Sequence, residues 1–162
     1  MNWYLTALVV HITCAAIWIG GNVFFVSLIR LLGKKSEFGE LRGEIIYAYV
    51  MAYRLATYIL FSLILLSGLL LIYERGLLNS LLWKSSLGLM ALMKLSVFTA
   101  LMGLQMSHDF FFGPKAFTNK DGHVALEERH RRANRIVGQV VFLVSFFMLI
   151  VGIFLSRGFS FF

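Results

Sequence analysis

His11 and Lys94 each lie inside a long apolar run, WYLTALVVHITCAAIWIGGNVFFVSLI and LLWKSSLGLMALMKLSVFTALMGLQMSHDFFF. In hydrocarbon an ionisable side chain costs at least about 2.5–3.5 kcal/mol, so it normally faces a bundle interior, a ligand or a water path. Neutral imidazole is a good ligand for haem iron and for other metals. Equally, a buried histidine serves as a hydrogen-bonding group between helices. Lysine has three roles open to it at such depth. Deprotonated, it can ligate haem iron; protonated, it pairs with a propionate or another anion; or its long stem snorkels toward the interface.

Further polar and soft groups extend the inventory. His108 and His130 stand at the far ends of their segments, near a strongly basic interface. They read either as ordinary interfacial histidines or as ligands of a second site. Arg54 lies a few turns into its segment and serves either membrane topology or an anion such as a propionate. Met90, Met93, Met102, Met106 and Met148 are packing residues or, through their thioethers, ligands for Cu(I) or haem. His123, in NKDGH, reads as solvated. Cys14 is the chain's single cysteine, which excludes an internal disulfide and leaves a small packing residue.

These groups must be held by membrane helices. Of the 162 residues, 59% are hydrophobic and 14% charged. Soluble domains run about 45–50% apolar, so this chain falls on the membrane side. A spanning helix needs roughly 20 apolar residues. Four segments meet this, about 3–29, 45–73, 81–112 and 136–155. One all-α domain over 1–162 is expected, an integral membrane four-helix bundle. Short connections make neighbouring helices antiparallel. The first segment carries no basic leader and is interrupted by His11, so it reads as a retained span and not a cleavable signal.

The net charge of +7 is unevenly placed. Arg30, Lys34, Lys35 and Arg42 flank the first connection. Lys115, Lys120, Arg129, Arg131, Arg132 and Arg135 flank the third. Only Arg75, Lys84 and Arg157 lie on the opposite side. The positive-inside rule puts the basic connections in the cytoplasm and both termini outside, in an inner (cytoplasmic) membrane. The run ERHRRANR then contacts anionic lipid. No aromatic-interleaved soluble module accompanies the charge, so nucleic acid is not an expected partner. Trp3, Tyr4, Tyr73 and Trp83 form an aromatic belt at the outer ends. Pro114 is expected to end the third helix.

Depth separates the polar groups into two layers. At 1.5 Å per residue, His11 lies about 12 Å in from Trp3, and Lys94 about 16 Å in from Trp83. Met148 lies about 12 Å in from Ser156. His108 is roughly 20–25 Å from the His11 level. Metal–nitrogen bonds are only about 2 Å, so His11 and His108 cannot share an ion. Helical phase adds faces: His11, Ala15, Trp18 and Asn22; Met51, Arg54, Tyr58, Phe61, Leu65 and Gly68; Lys94, Phe98, Leu101, Gln105 and His108; and, on the fourth helix, His130, Asn134, Gly138, Val141, Ser145, Met148 and Gly152.

The stretch HITCAAIWIGGNVFF resembles the H-x(6)-W-x-G-G signature of CopD-type copper-resistance membrane domains, and also the first-helix histidine region of HemJ protoporphyrinogen oxidases. YRLATYILFSLILLSGLLL is similar to their second helix, and LMKLSVFTALMGLQMSHDFFFGPKA to the third helix with its HDF-x-x-GP exit in CopD-like proteins. The HemJ resemblance implies haem b, with a first-helix histidine and a third-helix lysine, here His11 and Lys94, and porphyrinogen oxidation with a quinone as acceptor. The CopD resemblance implies copper transport or handling. Three readings stand: a haem b membrane redox protein with His11 and Lys94 in an outer site and His108 with His130 in a second; a copper protein with His11, Met90, Met93 and Met148 in a soft site; and a non-catalytic subunit or assembly factor whose polar stripe serves packing. Glycine-bearing faces leave a homo-oligomer open.

Overall fold

The computed structural model describes residues 2–34, 39, 41–77, 85–112, 117–120, 123–126 and 128–156. Four helices dominate: α1 (Trp3–Lys34), α2 (Leu41–Glu74), α3 (Ser86–Ser107) and α4 (Glu128–Ser156). All four carry windows long and apolar enough to cross a membrane. The protein is thus a multi-pass, all-α integral membrane bundle with antiparallel neighbours. Trp83 of the expected aromatic belt and the expected helix-ending Pro114 lie outside the described residues.

Boundaries differ from the sequence expectation for identifiable reasons. At 32 residues α1 is about 48 Å long against a hydrocarbon core of about 30 Å, so it runs on as a helix beyond its apolar stretch, to Lys34. The third helix starts at Ser86 because Ser85 caps it, its hydroxyl accepting from the Gly88 N–H at 3.1 Å. The last helix begins at Glu128, so the basic run ERHRRANR is helical. A short antiparallel hairpin, β1 (Phe117–Lys120) and β2 (His123–Leu126), was not anticipated. The intervening pair Asp-Gly is a favoured two-residue hairpin connection. Phe117 meets Tyr47 of α2 edge-on, with ring centroids 5.3 Å apart.

The first helix packs along α2, and α3 along α4, while α1 also meets α4. At their shared level the four helices contribute Cys14, Trp18, Phe61, Ile64, Leu101, Val141 and Met148 to one buried cluster. Cys14 is the buried packing residue its type indicated. Trp18 packs against Phe61 at 4.9 Å, and Phe61 against Phe98 at 5.6 Å. One glycine sets the α1–α2 approach. A Cβ at Gly21 would overlap the Tyr53 ring, whose hydroxyl donates to the Trp18 carbonyl at 3.1 Å. Tyr53 in turn stacks on Tyr49 at 5.5 Å. The WIGGNV stretch therefore has a packing explanation at its second glycine.

Candidate functional site

An apolar cavity of about 330 Å³ opens within the bundle, toward the end carrying Trp3 and Arg75. Specific small-molecule sites fall at about 300–1,000 Å³. All four helices line it. His11 and Lys94 both reach it, with Trp18, Phe61, Phe98 and Met148 among the apolar walls. The two ionisable groups that sequence depth placed near one level thus face one space.

Each of them rests against a glycine of a neighbouring helix. A Cβ at Gly68 of α2 would stand 3.2 Å from His11 Cε1. A Cβ at Gly152 of α4 would stand 2.7 Å from Lys94 Nζ. Missing side chains at these two positions make room for the imidazole and the lysine amine, as small residues do in membrane bundles.

Hydrogen bonds fix the histidine's tautomer. His11 Nδ1 lies 3.0 Å from the Ile64 carbonyl oxygen and 3.1 Å from Ser67 Oγ. A carbonyl only accepts, so Nδ1 carries the proton. The Ser67 hydroxyl donates to the Leu63 carbonyl at 2.6 Å and is free to accept from the same N–H. Nε2 is then the unprotonated nitrogen, and it has no hydrogen-bond partner among the described residues. A metal-ligating histidine is oriented in this way, with its other ring nitrogen donating to a backbone carbonyl. Ser67 was not singled out from sequence. Its signal was available: a serine on the turn of α2 that also carries Gly68.

At the opposite end, a second polar layer forms, built differently from the expectation. A π-helical turn, His108–Phe112, follows α3, a feature frequent at functional sites. Its Asp109 carboxylate is buried, with 8% side-chain exposure, and satisfied. It accepts from Tyr58 at 3.2 Å, Gln105 Nε2 at 2.9 Å and His108 Nδ1 at 3.2 Å. Arg54 lies over the Phe110 ring at 4.3 Å. Neither His108 nor Arg54 lines the cavity. Arg54 lies about two turns below Phe61, the lowest residue of α2 that lines the cavity. The side chain of His130 lies outside the described residues. Asp109 organises this layer, a role that a lone carboxylate in an apolar run does not reveal without its three partners.

The methionines do not assemble around His11. Met148 is buried and lines the cavity. Met90 is fully buried but does not line it, and Met93 is exposed on the outer face of α3. Met51 and Met106 are exposed as well. Among the described residues, no group of three or more His, Cys, Asp or Glu side chains is positioned to hold a metal ion. The arrangement that remains is one oriented imidazole and one amine on an apolar cavity. No protein-family model, no curated protein and no solved structure matches the chain.

Proposed function

We propose that this protein is a haem b-binding integral membrane redox protein, serving electron transfer or porphyrinogen oxidation as its resemblance to the HemJ group implies. The observation that carries the reading is the His11 imidazole, protonated at Nδ1 by its bond to Ile64 and presenting Nε2 in a cavity that Lys94 shares. The residues fit the group. One protein nitrogen would suffice to hold haem, whose macrocycle supplies the remaining nitrogen donors, whereas a bare metal ion needs a protein ligand set that the described residues do not assemble. Apolar walls suit the macrocycle's faces.

In this reading His11 binds the iron, while Ile64 and Ser67 orient the ring and raise its basicity. Lys94, held over Gly152, is the second ligand or the partner of an anionic group. When bound, the haem supplies one-electron redox chemistry, exchanged with a quinone or a porphyrin substrate in the membrane. Trp18, Phe61 and Phe98 close the cavity floor and exclude water. The basic end faces the cytoplasm of an inner membrane, which places the cavity mouth outside.

The alternative of copper handling draws on Met148 and His11, but Met90 and Met93 stand away from that pair. The test is the absorption spectrum of the protein purified in detergent, with pyridine-haemochrome quantification. A Soret band with a b-type haemochrome supports the proposal. Its absence after haem supplementation, with copper bound instead, overturns it.

A further inference from the structure

The mouth of the cavity carries a cation, and local backbone structure explains its position. At the end of α2 the Gly76 N–H bonds to the Tyr73 carbonyl at 2.8 Å, and the Leu77 N–H to the Ile72 carbonyl at 3.1 Å. Gly76 has φ 68°. These are the two bonds of a Schellman cap, with glycine at the left-handed position. The cap turns the chain back, so that Leu77 is buried against the cavity and Arg75, the preceding residue, lines it. Tyr4 of α1 lines it too, and the Arg75 guanidinium donates to the Tyr4 hydroxyl at 2.7 Å.

Two helices give the same spacing between this pair and the imidazole. Tyr4 and His11 are seven residues apart on α1, and Gly68, against which His11 rests, is seven residues from Arg75 on α2. Both intervals are about 10 Å along the bundle. The cavity therefore offers a nitrogen ligand at mid-depth, apolar walls, and a guanidinium one ligand-length above. A ligand that met both groups would be an amphiphile, with an atom for imidazole at one end and an anionic oxygen at the other.

We infer that Arg75, positioned by Tyr4, recognises a carboxylate of the cavity's ligand, so that a haem enters with its propionates toward the N-terminal end of the bundle. This inference rests on the haem reading above. Guanidinium suits the role because its planar donors match a carboxylate and it stays charged. Arg54, the arginine that sequence position brought forward for a propionate, is excluded by its place at the other end.

The test titrates haem and haem dimethyl ester, whose carboxylates are blocked, into wild type, Arg75→Gln and Tyr4→Phe in detergent, following the Soret band. Arg75→Gln is expected to weaken haem binding roughly ten- to hundredfold, the range of a charge-assisted hydrogen bond. The ester is expected to bind this variant and wild type alike. Tyr4→Phe should give a smaller loss, again for haem alone. Equal effects on both ligands, or none on either, would overturn the assignment; the latter would leave Arg75 to a lipid phosphate. Failure of wild type to bind either ligand would overturn the haem reading itself.

Discussion

His11 Nδ1 stands 3.0 Å from the Ile64 carbonyl oxygen, a bond between helices that decides which imidazole nitrogen is left to bind. The depth of His11 in hydrocarbon raised the question of its role. Among the described residues Nδ1 is engaged by α2 and Nε2 is not, so one nitrogen is left for a ligand.

The two glycines beneath the ionisable groups make separable predictions. The His11 ring is held by Ile64 and Ser67, so a methyl group at Gly68 must displace a constrained ring. Lys94 Nζ is the end of a flexible side chain and can move aside from a methyl group at Gly152. Gly68→Ala should therefore lower haem retention through washing more than Gly152→Ala does. Haem-to-protein ratios of the two purified variants check this; a larger loss for Gly152→Ala would contradict it.

Gly21→Ala should destabilise the α1–α2 interface by about 1–3 kcal/mol, the usual cost of overpacking. Tyr53→Leu in the same chain should recover part of that loss, because the overlap is with the Tyr53 ring. Thermal unfolding in detergent of the single and double variants measures the coupling. Simple additivity would show that the contact is relieved some other way.

Much of this arrangement is legible in the residues, and the gaps have physical causes. The 3.6-residue spacing of His11, Ala15 and Trp18 holds, since all three line the cavity. The α4 stripe holds in part: Ser145, Met148 and Gly152 line the cavity and Val141 is buried, whereas Gly138 is exposed and the side chains of His130 and Asn134 lie outside the described residues. On α2 the expected face holds in its upper half, where Phe61, Leu65 and Gly68 line the cavity; lower down Met51 is exposed, and Thr57, Ile64 and Ser67, outside that face, also point inward. Lipid and bundle interior both accept apolar side chains, so periodicity on a helix such as α2 marks its inner face weakly. Arg75 was read only as a topology charge because its relation to the cavity depends on the cap at Gly76, which spacing along α2 does not reveal. Asp109 required the π-helical turn to be placed against Tyr58.

Asp109→Ala should destabilise the protein without changing its haem spectrum. Removing the carboxylate leaves Tyr58, Gln105 and His108 without their shared acceptor, at roughly 1–3 kcal/mol for each donor that stays buried and unpaired. The layer lies away from the cavity, so the Soret position should not move. A spectral shift in this variant would join the two layers and contradict their separation.

Gly76→Ala should cost about 1 kcal/mol in thermal stability, because alanine at φ 68° is strained. It should also weaken haem binding while leaving binding of the dimethyl ester less affected, since the cap positions Arg75. Parallel titrations of the two ligands against wild type and this variant check the point.

The most direct measurement is the pyridine-haemochrome content of wild type and His11→Ala, purified identically after expression with added haem. A b-type haemochrome is expected in wild type, and its loss from a folded, monodisperse His11→Ala protein. Unchanged haem content and an unchanged Soret band in that variant would contradict the assignment of His11 as the ligand.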